Sequence, residues 1–201
     1  MSTIKERPIL FSGDMVRALL AGTKTQTRRI VKPQPTHFVG GPGIVDGNGQ
    51  PTMRMPAVDK GALSATITCP YGQSGDRLWV REAIKHLADG VSTYAADGGF
   101  TAGDAWPWRR NFLPAMHCPR GLSRIMLEIV SVRVERLQDI SEADALAEGV
   151  KSCEAELHNS GNWYCPEELY SMLWTKINGW GDCGWNANPY VWVVEFRRVE
   201  P

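Results

Sequence analysis

The chain has 201 residues, 43% of them hydrophobic and 22% charged, which is enough for one domain with a real core. Its 22 basic and 22 acidic side chains balance, so bulk charge does not mark a nucleic-acid binder and leaves room only for a local basic patch. Five cysteines without a CxxC pair argue against a secreted disulfide framework, and no apolar run is long enough to span a bilayer. The expectation is a soluble cytoplasmic protein.

In chain order, Pro8 to Phe11 reads as a short strand. Ser12 or Asp14 can cap the helix that follows, on which Met15, Val16, Leu19 and Leu20 form an apolar stripe. Gly22 suits a left-handed stop. Lys24-Thr25-Gln26-Thr27-Arg28-Arg29 comes next, the densest group of donors and reactive side chains in the chain. Its threonines and the following Ile30-Val31 favour an extended strand. Residues 36–60 are rich in Gly and Pro and show no periodicity, so they read as a loop insertion. Ala62 to Thr68 is a strand candidate, and Gly75-Asp76 turns into a strand over Arg77 to Glu82 that alternates around Leu78 and Val80.

Val91 to Ala95 is a weaker strand signal, followed by a second irregular region over 97–122. Ser123 to Leu137 is the longest strand signal. Ile125, Leu127 and Ile129 face one way and Val130, Val132 and Val134 the other, so a bulge is expected near Ile129-Val130, or else burial on both faces. Ser141 and Asp144 form a capping box for a second helix that Gly149 ends. Pro166 opens a third, with Leu169, Met172, Leu173 and Ile177 on its inner face. Tyr190 to Arg198 is a nearly continuous apolar strand, as expected at the centre of a sheet. This order fits an α+β fold, a small, mostly antiparallel sheet or barrel with helices at its ends, better than a doubly wound sheet.

These residues carry a family likeness. The helix ending in Gly-Thr-Lys-Thr-Gln-Thr-Arg-Arg resembles the opening motif of ASCH-domain proteins of the PUA-like superfamily, and Gly75-Asp76-Arg77-Leu78 resembles their second signature. The strand through Val134, the helix from Glu142 to Glu148 and the last strand, Trp192 to Phe196, follow the family's order. The phage and prophage branch is the most similar, which implies a bacterial or phage-infected host cell. The resemblance implies a single PUA-like domain over residues 1–201, a β-barrel with insertions at about 36–60 and 97–122. It also implies a cleft beside the first helix that holds RNA or a nucleoside, with no cofactor, no membrane partner and room for a homodimer. Some small members hydrolyse acetylcytidine, using a Lys, a Thr three residues later and a Glu on the helix after the long strand. Lys24, Thr27 and Glu148 match those positions.

An amide hydrolase needs a nucleophile, a base and a proton donor for the leaving amine. Thr27 could attack, Lys24 could be the base if its surroundings favour the neutral amine, and Glu148 could carry the proton to the cytosine nitrogen. In a regular strand Lys24 and Thr27 face opposite ways, so a bend after Gly22 is required. The plain alternative has Lys24 capping the preceding helix, Thr27 as an ordinary strand residue and Glu148 in water. Thr25, Arg28 and Arg29 are expected ligand contacts, the arginines to phosphate or base. Arg77, Trp79 and Arg81 share a strand face and could stack a base, or form a lateral patch. Surface ion pairs of Arg28 and Arg29 with Glu82 or Asp76 are the competing reading. His117-Cys118 and the other cysteines have no zinc spacing, so no metal is expected. The function expected is hydrolysis of an acyl group from the exocyclic amine of cytidine. The alternatives are a non-catalytic RNA or modified-nucleic-acid binding module and a phage assembly protein.

Overall fold

The computed structural model describes residues 4–34, 52–55, 65–86, 92–96, 108–153 and 164–200. Its fold is α+β. The strands are β1 (Glu6–Leu10), β2 (Gln26–Ile30), β3 (Thr52–Met55), β4 (Ala65–Thr68), β5 (Arg77–Arg81), β6 (Ile84–His86), β7 (Ser92–Tyr94), β8 (Phe112–Leu113), β9 (Met126–Arg136) and β10 (Tyr190–Val199). The helices are α1 (Gly13–Leu20), α2 (Glu142–Ala147) and α3 (Pro166–Asn178).

Five strands make the main sheet, in the order β1-β5-β9-β10-β2. Only β1 and β5 pair in parallel; the other neighbours are antiparallel. β10 lies inside the sheet, and Val191 to Val194 are all buried, as its unbroken apolar run requires. The edge strands β1 and β2 make no ladder with each other among the described residues, yet Arg29 Nη2 donates to Leu10 O at 2.6 Å. The sheet therefore curls until its two edges approach, leaving a seam between them.

The bulge expected in the long strand is present. Ser131 pairs with Glu195 and Ile129 with Phe196, so Val130 has no partner and stands 49% exposed. The extra residue resets the side-chain phase. Val132 and Val134 consequently pack against the same core as Ile125, Leu127 and Ile129 instead of facing away from it.

The helix ends follow their local chemistry. Ser12 stands at the N-cap position of α1 but its side chain makes no capping hydrogen bond, and Gly22 takes φ +75° just beyond the helix. Ser141 and Asp144 complete the capping box of α2, and Pro166 starts α3. The inner face of α3 differs from expectation: Leu169, Tyr170, Leu173 and Trp174 are buried, while Ile177 is 56% exposed. Rotating the stripe by one position puts two large rings into the core in place of Met172 and Ile177, and rings bury more area. Within the region read as a structureless insertion, β3 pairs with β4, and in the second irregular region β8 pairs with β6. Residues 35–51, 56–64 and 97–107 lie outside the described residues.

The Gly75-Asp76 turn ties β1 to β5. Buried Asp76 accepts from Lys5 N at 3.0 Å, Arg7 Nη1 at 2.8 Å and Gln73 N at 3.2 Å. Gly72 sits over it with φ +122°; a Cβ there would fall 2.7 Å from Asp76 Oδ2 and 2.6 Å from Arg7 Nη1, so only glycine fits. Burial pushes the Asp76 carboxyl up, but the Lys5 N–H and the Arg7 guanidinium outweigh it and hold it below 3.8. A depressed carboxyl contributes stability above its unfolded value and loses it as pH falls through the folded value. Asp76→Asn should thus cost about 1–3 kcal/mol at neutral pH and less at a pH below 3.8. Urea unfolding of both proteins at the two pH values tests this, and an equal deficit at both would refute the role assigned to the charge.

Candidate functional site

The seam between β1 and β2 opens into a cavity of about 740 Å³, within the size range of small-molecule sites. Residues 8–12 form one wall and β2 the other, with Tyr170 and Trp174 of α3 and Trp192 of β10 beside them. Lys24, Thr27 and Glu148 all line it, though each is less than 5% exposed.

The bend that brings Lys24 and Thr27 together arises from the meeting of two helix ends. After Gly22 the chain does not enter β2 at once. The Thr23 and Lys24 amides donate to Ala18 O, and the Thr25 amide to Ala147 O at the end of α2. The strand begins only at Gln26. Gly149, with φ +81°, lets α2 approach this corner; a Cβ there would stand 2.9 Å from Ala18 Cβ and 3.2 Å from Lys24 Cβ. Lys24 Nζ then donates to Glu148 O at 2.8 Å and to Glu148 Oε2 at 2.9 Å. It does cap a helix C-terminus, but that of α2 and not of the preceding helix. The Thr27 hydroxyl makes no hydrogen bond to the described residues.

Around this trio lies a buried ion network. The Arg28 side chain is wholly buried, with Nη2 3.1 Å from Glu135 and 3.2 Å from Asp144, and Nη1 3.4 Å from Glu148 Oε1. Gln26 Nε2 donates to Asp144 Oδ1 at 3.0 Å, and Arg133 binds Glu135, Asp144 and Glu195. Burial tends to raise the Asp144 carboxyl, but the Gln26 amide, Arg28 and Ser141 together hold it below 3.8. Burial, and then the charge of Glu148, push the Tyr170 phenol well above 10, so it remains a neutral hydroxyl in the cavity wall.

The expected contacts divide. Arg29 and Arg81 line the cavity. Arg28 lines it too, but its charge is spent on three carboxylates, so it positions Glu148 instead of waiting for a ligand. Thr25 is exposed and does not line the cavity; its backbone carries the link to Ala147 and Phe196. Of the row on β5, Arg81 stacks on Trp79 at 4.8 Å, whereas Trp79 is only 8% exposed and neither it nor Arg77 reaches the cavity. Asp76 pairs with Arg7 and Glu82 with Arg124, so neither meets Arg28 or Arg29. Sequence reasoning missed Phe11, whose ring takes Lys24 Nζ at 5.4 Å and Arg29 at 5.3 Å, and also Gln26, Glu135 and Tyr170. A polar Gln between two strand threonines was the one local signal available. Among the described residues no three His, Cys, Asp or Glu side chains gather as a metal site would require, and no helix is long and apolar enough to cross a membrane.

No family model matches the chain, and no curated protein matches it. Among solved structures it is similar to the crystal structure of protein EF3133 from Enterococcus faecalis V583, of the family DUF984, at 9% identity and TM-score 0.43. The match covers 100% of this chain and 84% of that one; a likeness so remote bears no weight on function.

Proposed function

We propose that the chain is an ASCH-type hydrolase, with its curled sheet as the family's barrel, which removes an acyl group from the exocyclic amine of a cytidine-type nucleoside. The observation that carries this reading is the convergence of Lys24, Thr27 and Glu148 on one cavity in the size range of small-molecule sites. Apolar and aromatic walls from Phe11, Trp174 and Trp192 suit a flat base.

The proton balance closes within these three residues. In the resting site Lys24 is the ammonium and Glu148 the carboxylate. Transfer of one proton along their 2.9 Å contact gives a neutral amine and a carboxylic acid. The amine takes the Thr27 proton as Oγ bonds to the acyl carbon. Glu148 gives its proton to the exocyclic nitrogen, the C–N bond breaks, and the cytosine amine leaves. The acyl-threonine ester is then cleaved by water, whose proton goes to Glu148 while Lys24 returns one to Thr27 Oγ. A last transfer from Glu148 to Lys24 restores the ion pair.

Binding without turnover is the second reading, and the ion pair itself favours it. Lys24 is held by two acceptors on Glu148, which is how a structural lysine is satisfied. Incubation with N4-acetylcytidine, followed chromatographically, separates the two. Release of cytidine that vanishes in Thr27→Val supports the hydrolase. Saturable binding with no release supports the reader and refutes hydrolysis of that substrate.

A further inference from the structure

The cavity is far more basic than the chain. Overall charge is balanced, yet the described lining includes Lys24, Arg28, Arg29, Lys32 and Arg81 against a single acid, Glu148. Lys24 and Arg28 are internally neutralised. Arg29, Lys32 and Arg81 are not, since no acidic side chain pairs with any of them among the described residues. Exposure follows the same division: Lys24, Thr27 and Glu148 are buried, Arg29 and Arg81 are partly exposed and Lys32 is exposed.

Two of these cations converge through the strand register. Leu10 of β1 is the partner of Arg81 on β5, and its carbonyl accepts from Arg29 across the seam. Each guanidinium spends one nitrogen on a backbone carbonyl, Arg29 on Leu10 and Arg81 on Met116, which fixes the group and leaves donors over. Arg81 Nε is buried with no hydrogen-bond partner among the described residues. Phe11 connects this cationic rim to the reactive end, because its ring contacts both Lys24 and Arg29.

Building on the hydrolase reading, we propose that the substrate is a nucleotide and not a free nucleoside. Its acylated base reaches Lys24, Thr27 and Glu148, and its 5′-phosphate is held at the rim by Arg29, Lys32 and Arg81. Guanidinium forks recognise phosphate in this way. A mononucleotide fits better than a polymer. Arg29 and Arg81 meet at the end of β1 and Lys32 lines the same cavity, which is a local site rather than a track, and a chain with balanced charge lacks the field for RNA.

The test measures calorimetric binding of cytidine and cytidine 5′-monophosphate, alongside turnover of their N4-acetyl forms. The monophosphate should bind about tenfold or more tightly, and added salt should narrow the gap. Arg81→Gln, and independently Lys32→Gln two residues beyond the end of β2, should reduce the preference for the monophosphate over cytidine. Lys32 is exposed, so its variant reports even if the Arg81 change disturbs folding. Equal binding of both compounds, with acetylcytidine turned over, overturns this inference and leaves the hydrolase standing. Tighter binding of a cytidine trinucleotide than of the monophosphate overturns it in favour of a polymer. If neither compound binds and neither acetyl form is cleaved, both readings fall.

Discussion

Thr27→Val should abolish turnover while barely changing stability, and Glu148→Gln should abolish turnover while also weakening the fold. The contrast follows from what each side chain holds. Thr27 is 2% exposed, and its hydroxyl makes no hydrogen bond to the described residues. Valine keeps the shape and suits a strand, so the stability change should stay within about 1 kcal/mol. If Oγ is the nucleophile, the rate should fall by roughly 10³-fold or more. Glu148 instead faces two buried cations, Lys24 at 2.9 Å and Arg28 at 3.4 Å. Glutamine keeps the size but removes the charge. The two cations are then left partly uncompensated in a dry corner, at a cost of about 3 kcal/mol. For a chain of this length that lowers the melting temperature by roughly 6–12 °C. Thermal denaturation with an acetylcytidine assay reads both quantities. Full turnover by Thr27→Val would remove threonine from the mechanism, and an unshifted melting temperature in Glu148→Gln would mean the ion pair does not stabilise the fold.

What could be read from the sequence was what short-range chemistry decides. Ser141 and Asp144 are three residues apart and make their own cap; Gly22 and Pro166 act within one turn. The phase slip at Val130 announced its bulge, although only the pairing with β10 showed that Val132 and Val134 return to the core face. β6 and β8 are three and two residues long and exist through pairing, so no local periodicity marked them. The stripe on α3 was ambiguous between aliphatic and aromatic positions, and the core selected Tyr170 and Trp174. The Lys-x-x-Thr spacing was legible, but the corner that makes it useful depends on α2 touching Ala18 and Lys24 through Gly149, over a hundred residues later in the chain. Arg28 is the sharpest case. Beside Arg29 in the sequence it looks like a second surface cation. Its three carboxylates come from β9 and α2, and nothing near it in the chain signals that they will meet.

That burial makes Arg28 the residue whose loss should have the largest effect on stability. Arg28→Met retains much of the apolar stem but leaves Glu135, Asp144 and Glu148 facing one another. Lys24 still compensates Glu148, and Arg133 still compensates Glu135 and Asp144. Removing one partner from a buried network costs about 3–5 kcal/mol. The pH dependence gives the charge its own signature. In the native protein Asp144 lies below 3.8, so its contribution is present above that value and lost only as pH falls through the lower folded value. Without Arg28 the Asp144 carboxyl loses one of the groups that hold it down, so the variant's deficit should be full at neutral pH and shrink at a pH below 3.8. Urea titrations of both proteins at the two pH values measure this. A deficit that does not change with pH would mean that Arg28 contributes packing alone and that its charge does not hold Glu148 in place.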